Sequence, residues 1–235
     1  MTFNFAYPNT RPDTRGWGPG FPNCATEAWV PLVAANGVGF GRVHKNIHAL
    51  LELLLAECIR RGYPPKAGQC WGAVCRCSHR SDGTCAKDSN GKDIPSNHSW
   101  GLAIDFNSID NPYGANREDA QLGGNPKLGW VPILFKEYGF RWLGPPIADW
   151  QHFDFAGEPS DAAAMTAKAK RELGDDMTEQ QLEMLRASDQ RWRGVMAYDT
   201  AIENGKENPT PPAGKPPEWM DGWKFAKRAY NRPKA

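Results

Sequence analysis

The chain has 235 residues, 40% of them hydrophobic, and 28 Lys and Arg set against 27 Asp and Glu leave a formal net charge of +1. That is enough apolar material for a sizeable core, while near neutrality and scattered cations give no electrostatic footprint for nucleic acid. No apolar run reaches the roughly 18 residues of a membrane span, and Met1-Thr2-Phe3-Asn4-Phe5-Ala6-Tyr7-Pro8 lacks the basic and apolar regions of a signal peptide, so neither is expected.

Up to about Gly41 the chain is rich in Pro, Gly and Trp, as in Gly16-Trp17-Gly18-Pro19-Gly20-Phe21-Pro22, without a sustained period. This predicts an ordered arm rather than a domain. From Val43 to Arg61 the residues Val43, Ile47, Leu50, Leu51, Leu54, Leu55 and Cys58 follow helical spacing and predict an amphipathic core helix that stops before Gly62. His44 and His48 stand four apart, but Lys45 holds the place where a His-Glu-x-x-His site needs glutamate, so they read as surface or interface histidines. Of the six cysteines, Cys70, Cys75, Cys77 and Cys85 crowd into one loop, whereas Cys24 and Cys58 stand apart. The spacing fits no standard zinc ribbon or finger, so one or two disulfides of open connectivity are expected, with a structural metal as the alternative. The polar run from Cys85 to Pro95 would otherwise form a flap.

Gly101 to Phe106 alternates as a strand does, with Leu102, Ile104 and Phe106 on one face and Ala103 and Asp105 on the other. A loop rich in Asn, Pro and Gly leads to Trp130–Tyr138, where Val131, Leu134, Phe135 and Tyr138 predict a helix ended by Gly139. Phe140 to Leu143 predicts a short strand, and Gly144-Pro145-Pro146 a turn. Around His152 the alternation returns: Phe153 and Phe155 suit a buried face, His152 and Asp154 the opposite one. Trp142 and Trp150 are expected to plug the core. Beyond Gly157 the chain turns polar and helical over Asp161–Arg171 and Thr178–Ile202, then carries five prolines in the linker-like run Glu203–Pro217. The aromatic and basic segment Glu218–Tyr230 is read as a helix docking back on the preceding domain, with an anionic polymer as the alternative ligand.

The chemistry concentrates in Ser96-Asn97-His98-Ser99-Trp100-Gly101-Leu102-Ala103-Ile104-Asp105 and Asp149-Trp150-Gln151-His152. A zinc ion that does chemistry takes three protein ligands and keeps a fourth position open, and histidine nitrogen with carboxylate oxygen suits it. His98, Asp105 and His152 supply that set, leaving Asp149 to take a proton from the attacking water. At a separation of seven, His98 and Asp105 cannot share a face of one straight strand, so His98 must lie in a preceding loop that turns back.

The pattern Ser-x-His-x-x-Gly-x-Ala-x-Asp followed by Asp-x-x-His resembles the M15 zinc peptidases, the D-Ala-D-Ala carboxypeptidase and phage endolysin family, over about Gly37 to Phe155. The resemblance implies cleavage of peptidoglycan stem peptides, and an arginine upstream of the first histidine that holds the substrate carbonyl or the developing oxyanion. Arg76, in Gly72-Ala73-Val74-Cys75-Arg76, takes that place ahead of Arg80. It further implies an α+β fold of the M15/Hedgehog zinc peptidase type, a small antiparallel sheet with flanking helices, here followed by a C-terminal helical extension. The domain reading is an N-terminal arm over 1–40, a zinc peptidase domain over 41–157 and a helical extension, wall-binding in one reading, over 158–235.

The activity expected is that of an endolysin-like zinc metallopeptidase, acting as a monomer without nucleic acid or membrane insertion. It would be made in the host cytoplasm and reach the wall through a separate membrane pore. The bond, whether L-Ala-D-Glu, D-Ala-D-Ala or a cross-link, stays open. A noncatalytic wall-binding module that keeps its metal, and a nucleic-acid binder built on the cysteine cluster, are the rival classes.

Overall fold

The computed structural model describes residues 12–79 and 82–173, with the isolated positions Pro211 and Met220. The chain divides into two compact units, Met1–Asp176 and Met177–Ala235, and the architecture below belongs to the first. The expectations for Arg80, Thr178–Ile202, the proline-rich linker and Glu218–Tyr230 lie outside the described residues.

A 3-10 turn at Pro12–Arg15 and another at Thr26–Ala28 lead into an antiparallel hairpin, β1 (Trp29–Val33) and β2 (Gly39–His44). The sequence reading had no hairpin here: it put β1 in the arm and began the helix at Val43, which instead belongs to β2. The hairpin's strands are short, β1 contains Pro31, and the register slips between Pro31 and Val33, so no clean period-two signal survives. The following helix, α1 (Lys45–Arg60), starts one residue past β2. His44 is not on its surface but is its N-cap: Nδ1 accepts from Asn46 N–H at 3.2 Å, and the ring lies buried edge-on to Trp17.

α1 buries more than the predicted stripe, because Leu53, Ala56 and Glu57 are covered as well as Ile47, Leu50, Leu51, Leu54, Leu55 and Cys58. The hairpin packs on one side of it and α5 (Pro159–Glu172) on another. Glu57 tolerates burial because Arg60 donates to both of its oxygens at 2.6 Å. Removing one of the fully buried leucines, as in Leu54→Ala, should therefore cost about 2–5 kcal/mol.

The second sheet holds β3 (Ala103–Asp105), β4 (Phe140–Trp142) and β5 (His152–Phe155) in the order β3-β5-β4, all antiparallel. Phe153 and Phe155 turn into an aromatic core in which Phe135 lies 4.4 Å from Phe153 and Phe140 lies 5.3 Å from Phe155. Phe135 comes from the predicted helix, here Trp130–Glu137. Mixed α and β elements with small antiparallel sheets are thus present, in keeping with an M15-type domain.

Two disulfides settle the cysteine loop: Cys24–Cys75 ties the arm to it, and Cys77–Cys85 closes it on itself. Cys58 and Cys70 are buried free thiols. Since Cys24–Cys75 closes a span of 51 residues and Cys77–Cys85 one of 8, chain entropy assigns them about 4 and about 2.5 kcal/mol. Chemical denaturation of Cys24→Ser should show a larger loss of stability than that of Cys77→Ser.

Candidate metal centre

Strand register brings the first two acceptors together. In the β3–β5 ladder Asp105 is the direct partner of His152, so a carboxylate and an imidazole 47 residues apart in sequence stand side by side. His98 arrives from a 3-10 turn, Asn97–Trp100, whose N-cap Ser96 Oγ accepts from His98 N–H. Gly101 then reverses the chain at φ 69°, and a Cβ there would lie 2.7 Å from the His44 nitrogen. The left-handed turn and the tight approach both require glycine. This is the turn back that the separation of seven demanded.

The result is a triangle of atoms. His152 Nδ1 is 3.1 Å from Asp105 Oδ1, His98 Nε2 is 3.4 Å from the same oxygen, and the two ring nitrogens are 3.3 Å apart. A tetrahedral zinc with bonds of about 2.0–2.1 Å holds its ligand atoms about 3.3–3.4 Å from one another. Among the described residues this is the one group with metal-ligand geometry. All three side chains are buried, Asp105 included, so the alternation that placed it on the face opposite the core did not place it in solvent.

Neighbouring groups decide which atoms converge. His98 Nδ1 lies 2.6 Å from the Gly72 carbonyl, which can only accept, so that nitrogen carries hydrogen and Nε2 presents a lone pair. His152 Nε2 faces the Asp154 carboxylate at 3.7 Å, so Nδ1 is the free acceptor. Three lone pairs thus meet with no hydrogen among them, a donor set that calls for a cation. Without a metal, a proton must serve. Burial pulls the His152 pKa down, but hydrogen bonds to Asp105 and Asp154 outweigh it and hold the group up at about 10. Burial likewise opposes ionisation of Asp105, yet its bonds to His152 and His98 keep it below the usual carboxylate range.

Asp154 is the support that sequence reading passed over, although its alternation had put Asp154 on the face of His152. Arg141 donates to Asp154 Oδ1 at 2.9 Å and to Oδ2 at 2.5 Å, and Asn97 Nδ2 donates to Oδ2 at 2.5 Å. Gly72 is placed by Trp71, which exchanges both backbone hydrogen bonds with Asp105. A side chain at position 72 would collide with the Arg42 carbonyl, 2.2 Å from where its Cβ would sit.

Asp149 precedes β5 in a turn closed by His152 N–H to the Asp149 carbonyl at 3.2 Å, which sets its carboxylate beside the triangle, Oδ2 4.0 Å from His152 Nδ1. Oδ1 is buried without a hydrogen-bond partner among the described residues. Burial raises the Asp149 pKa, His152 opposes that rise, and the charge of Asp105 adds to it. Such a carboxylate is more basic than a solvated one. Arg76 lines the same cavity, of about 660 Å³, together with Asp105, Asp149 and His152. It lies not on a strand but in an extended loop between Cys75 and Cys77, so each disulfide pins one of its neighbours. Its own carbonyl accepts from Ser99 Oγ at 2.5 Å and Ser96 N–H at 3.1 Å. A smaller apolar cavity of about 450 Å³, lined by Gly39, Gly41, Trp71 and His98, shares Arg76 and Asp105 with it.

No curated protein and no solved structure matches the chain. Residues 89–155 match the family model Peptidase_M15_4, described as D-alanyl-D-alanine carboxypeptidase. That span contains the His98 turn, β3, β4, Asp149 and β5, and excludes Arg76 and everything before it. The match over the residues that build the centre supports a peptidase of the M15 family.

Proposed function

We propose that this protein is a zinc-dependent peptidase that hydrolyses an amide bond in the stem peptide of bacterial cell wall. The observation that carries the reading is the convergence of His98 Nε2, Asp105 Oδ1 and His152 Nδ1 beside a buried carboxylate, Asp149, whose Oδ1 has no hydrogen-bond partner among the described residues. His98, Asp105 and His152 would hold zinc, which when bound lowers the pKa of water towards neutrality and polarises a carbonyl. Asp149 takes the proton of the attacking water and returns it to the leaving amine. Its burial suits both acts, because a carboxylate with a raised pKa holds the proton long enough to deliver it. Arg76, fixed between two disulfides, supplies positive charge where the tetrahedral intermediate gathers negative charge.

A phage endolysin fits this reading: made in the host cytoplasm, it would reach the wall through a membrane pore. A second reading, removal of terminal D-alanine, is favoured by the match of residues 89–155 to a D-alanyl-D-alanine carboxypeptidase family model. Mass spectrometry of fragments from purified peptidoglycan separates the two, since internal cleavage creates new amino termini within the stem and trimming releases D-alanine alone.

Asp149→Ala that still carries zinc should lose about 10²–10⁴-fold in kcat. Arg76→Ala should lower kcat more than it raises KM. Unchanged release of termini by the zinc-loaded Asp149 variant would exclude the mechanism.

Zinc binding carries its own signature. The His152 pKa lies above that of an unfolded histidine, so in the metal-free protein its proton adds stability fully present below pH 6.5 and lost as pH rises towards about 10. Zinc must expel that proton. Calorimetry at pH 7 in buffers of differing ionisation enthalpy should show about one proton released per zinc, and affinity should rise with pH between 6.5 and 10.

A further inference from the structure

From the cavity's distribution of charge we infer that Arg15, in the arm outside the matched span, recognises a carboxylate of the substrate at a distance from the bond that is cut. The inference rests on the peptidase reading and adds to it a residue that selects anionic over neutral peptides. The lining of the cavity includes Asp105, Asp149 and His152 of the metal centre and also Arg15, Arg141 and Asp154, with Arg15 anchored to the chain just after β5. Arg76 is among the charges felt by Asp149, whereas those felt by Arg15 are Asp154, Arg141, Glu158 and Asp161. The two arginines therefore serve different parts of the cavity.

Arg15 is held in place but not neutralised. Its Nη1 donates to the Ala156 carbonyl and, at 2.9 Å, to the Gly157 carbonyl. Trp17 Nε1 donates to the Gly157 carbonyl as well, also at 2.9 Å, so two residues of the arm grip the chain just after β5. Carbonyls orient a guanidinium without cancelling its charge. Nε is buried with no partner, and among the described residues Nη2 makes no hydrogen bond. Asp154, the anion the two arginines share, is already engaged by both donors of Arg141, by Asn97 and by His152.

Asp154, Glu158 and Asp161 act on Arg15 only through space, and no described carboxylate pairs with it directly, so burial still outweighs their attraction; a purely structural link to two carbonyls would be met as well by a neutral donor. With Nη1 held by the two carbonyls and Nε buried, Nη2 of this always-charged group is the donor left to give a carboxylate at the cavity wall a charge-assisted hydrogen bond. Wall stem peptides carry such carboxylates, as side chains and as termini.

The test uses the zinc-loaded full chain and a set of wall stem peptides in which each carboxylate in turn is replaced by a carboxamide. One replacement should lower wild-type kcat/KM by about tenfold to a hundredfold, the worth of one charged hydrogen bond. In Arg15→Gln that acid-to-amide ratio should collapse towards one, and in Arg15→Lys it should survive in part. Dissociation constants of the same peptides for Asp149→Ala should show the same preference without turnover. A wild type indifferent to every replacement overturns the inference without any variant of Arg15. An Arg15→Gln that folds and keeps the ratio does so too. If no peptide is cut at all the peptidase reading falls, and the dissociation constants still decide whether Arg15 selects a carboxylate.

Discussion

Three lone pairs aimed at one point are the constraint on which this structure turns. His98 Nε2, Asp105 Oδ1 and His152 Nδ1 are buried acceptors with no hydrogen among them, an arrangement that is unfavourable until a cation or a proton enters it. Each acceptor is fixed from behind: His98 by the Gly72 carbonyl, His152 by Asp154, Asp105 by its place in the ladder. The fold can bear the strain of that convergence because the sheet backs onto a close-packed aromatic core that resists rearrangement.

The support extends outward in layers. Asp154 is almost fully buried and ionised, which Arg141 and Asn97 make possible, and burial without them would favour its neutral form and release His152 from its tautomer. Gly72 reaches His98 because Trp71 continues the sheet beyond β3 by a single pair of hydrogen bonds. The disulfides do for the Arg76 loop what hydrogen-bonded strands do for the ligands. A loop without regular structure would leave a cation in many positions, and the two disulfides narrow them for Arg76.

The arm joins the same plan. Trp17 packs against His44 and Phe155, its ring nitrogen and Arg15 bond the carbonyls that follow β5, and Cys24 anchors the segment to the Arg76 loop. Thus the arm lines the cavity through Pro12 and Arg15 and covers the core through Trp17. Tyr113 and Ile147, each more than half exposed, line the same cavity. A substrate with both apolar and anionic parts would find complementary surfaces.

Much of this was legible in the sequence where the signal is local. Alternation marked β3 and β5, helical spacing marked α1, and the residue types at His98, Asp105, Asp149 and His152 pointed to a candidate metal centre with a carboxylate beside it. The turn at His98 followed from the parity of its separation from Asp105. What the sequence could not supply was everything that depends on pairing between distant segments: the register that sets Asp105 against His152, the nitrogen each histidine presents, the partners of Cys24 and Cys77, the hairpin within the arm, and the approach of Arg15 to the cavity. A residue's periodicity reports the face it occupies in its own element, because backbone geometry fixes that within a few positions. Which face meets which is decided by packing and hydrogen bonding across tens of residues, and that information exists only once the chain has folded.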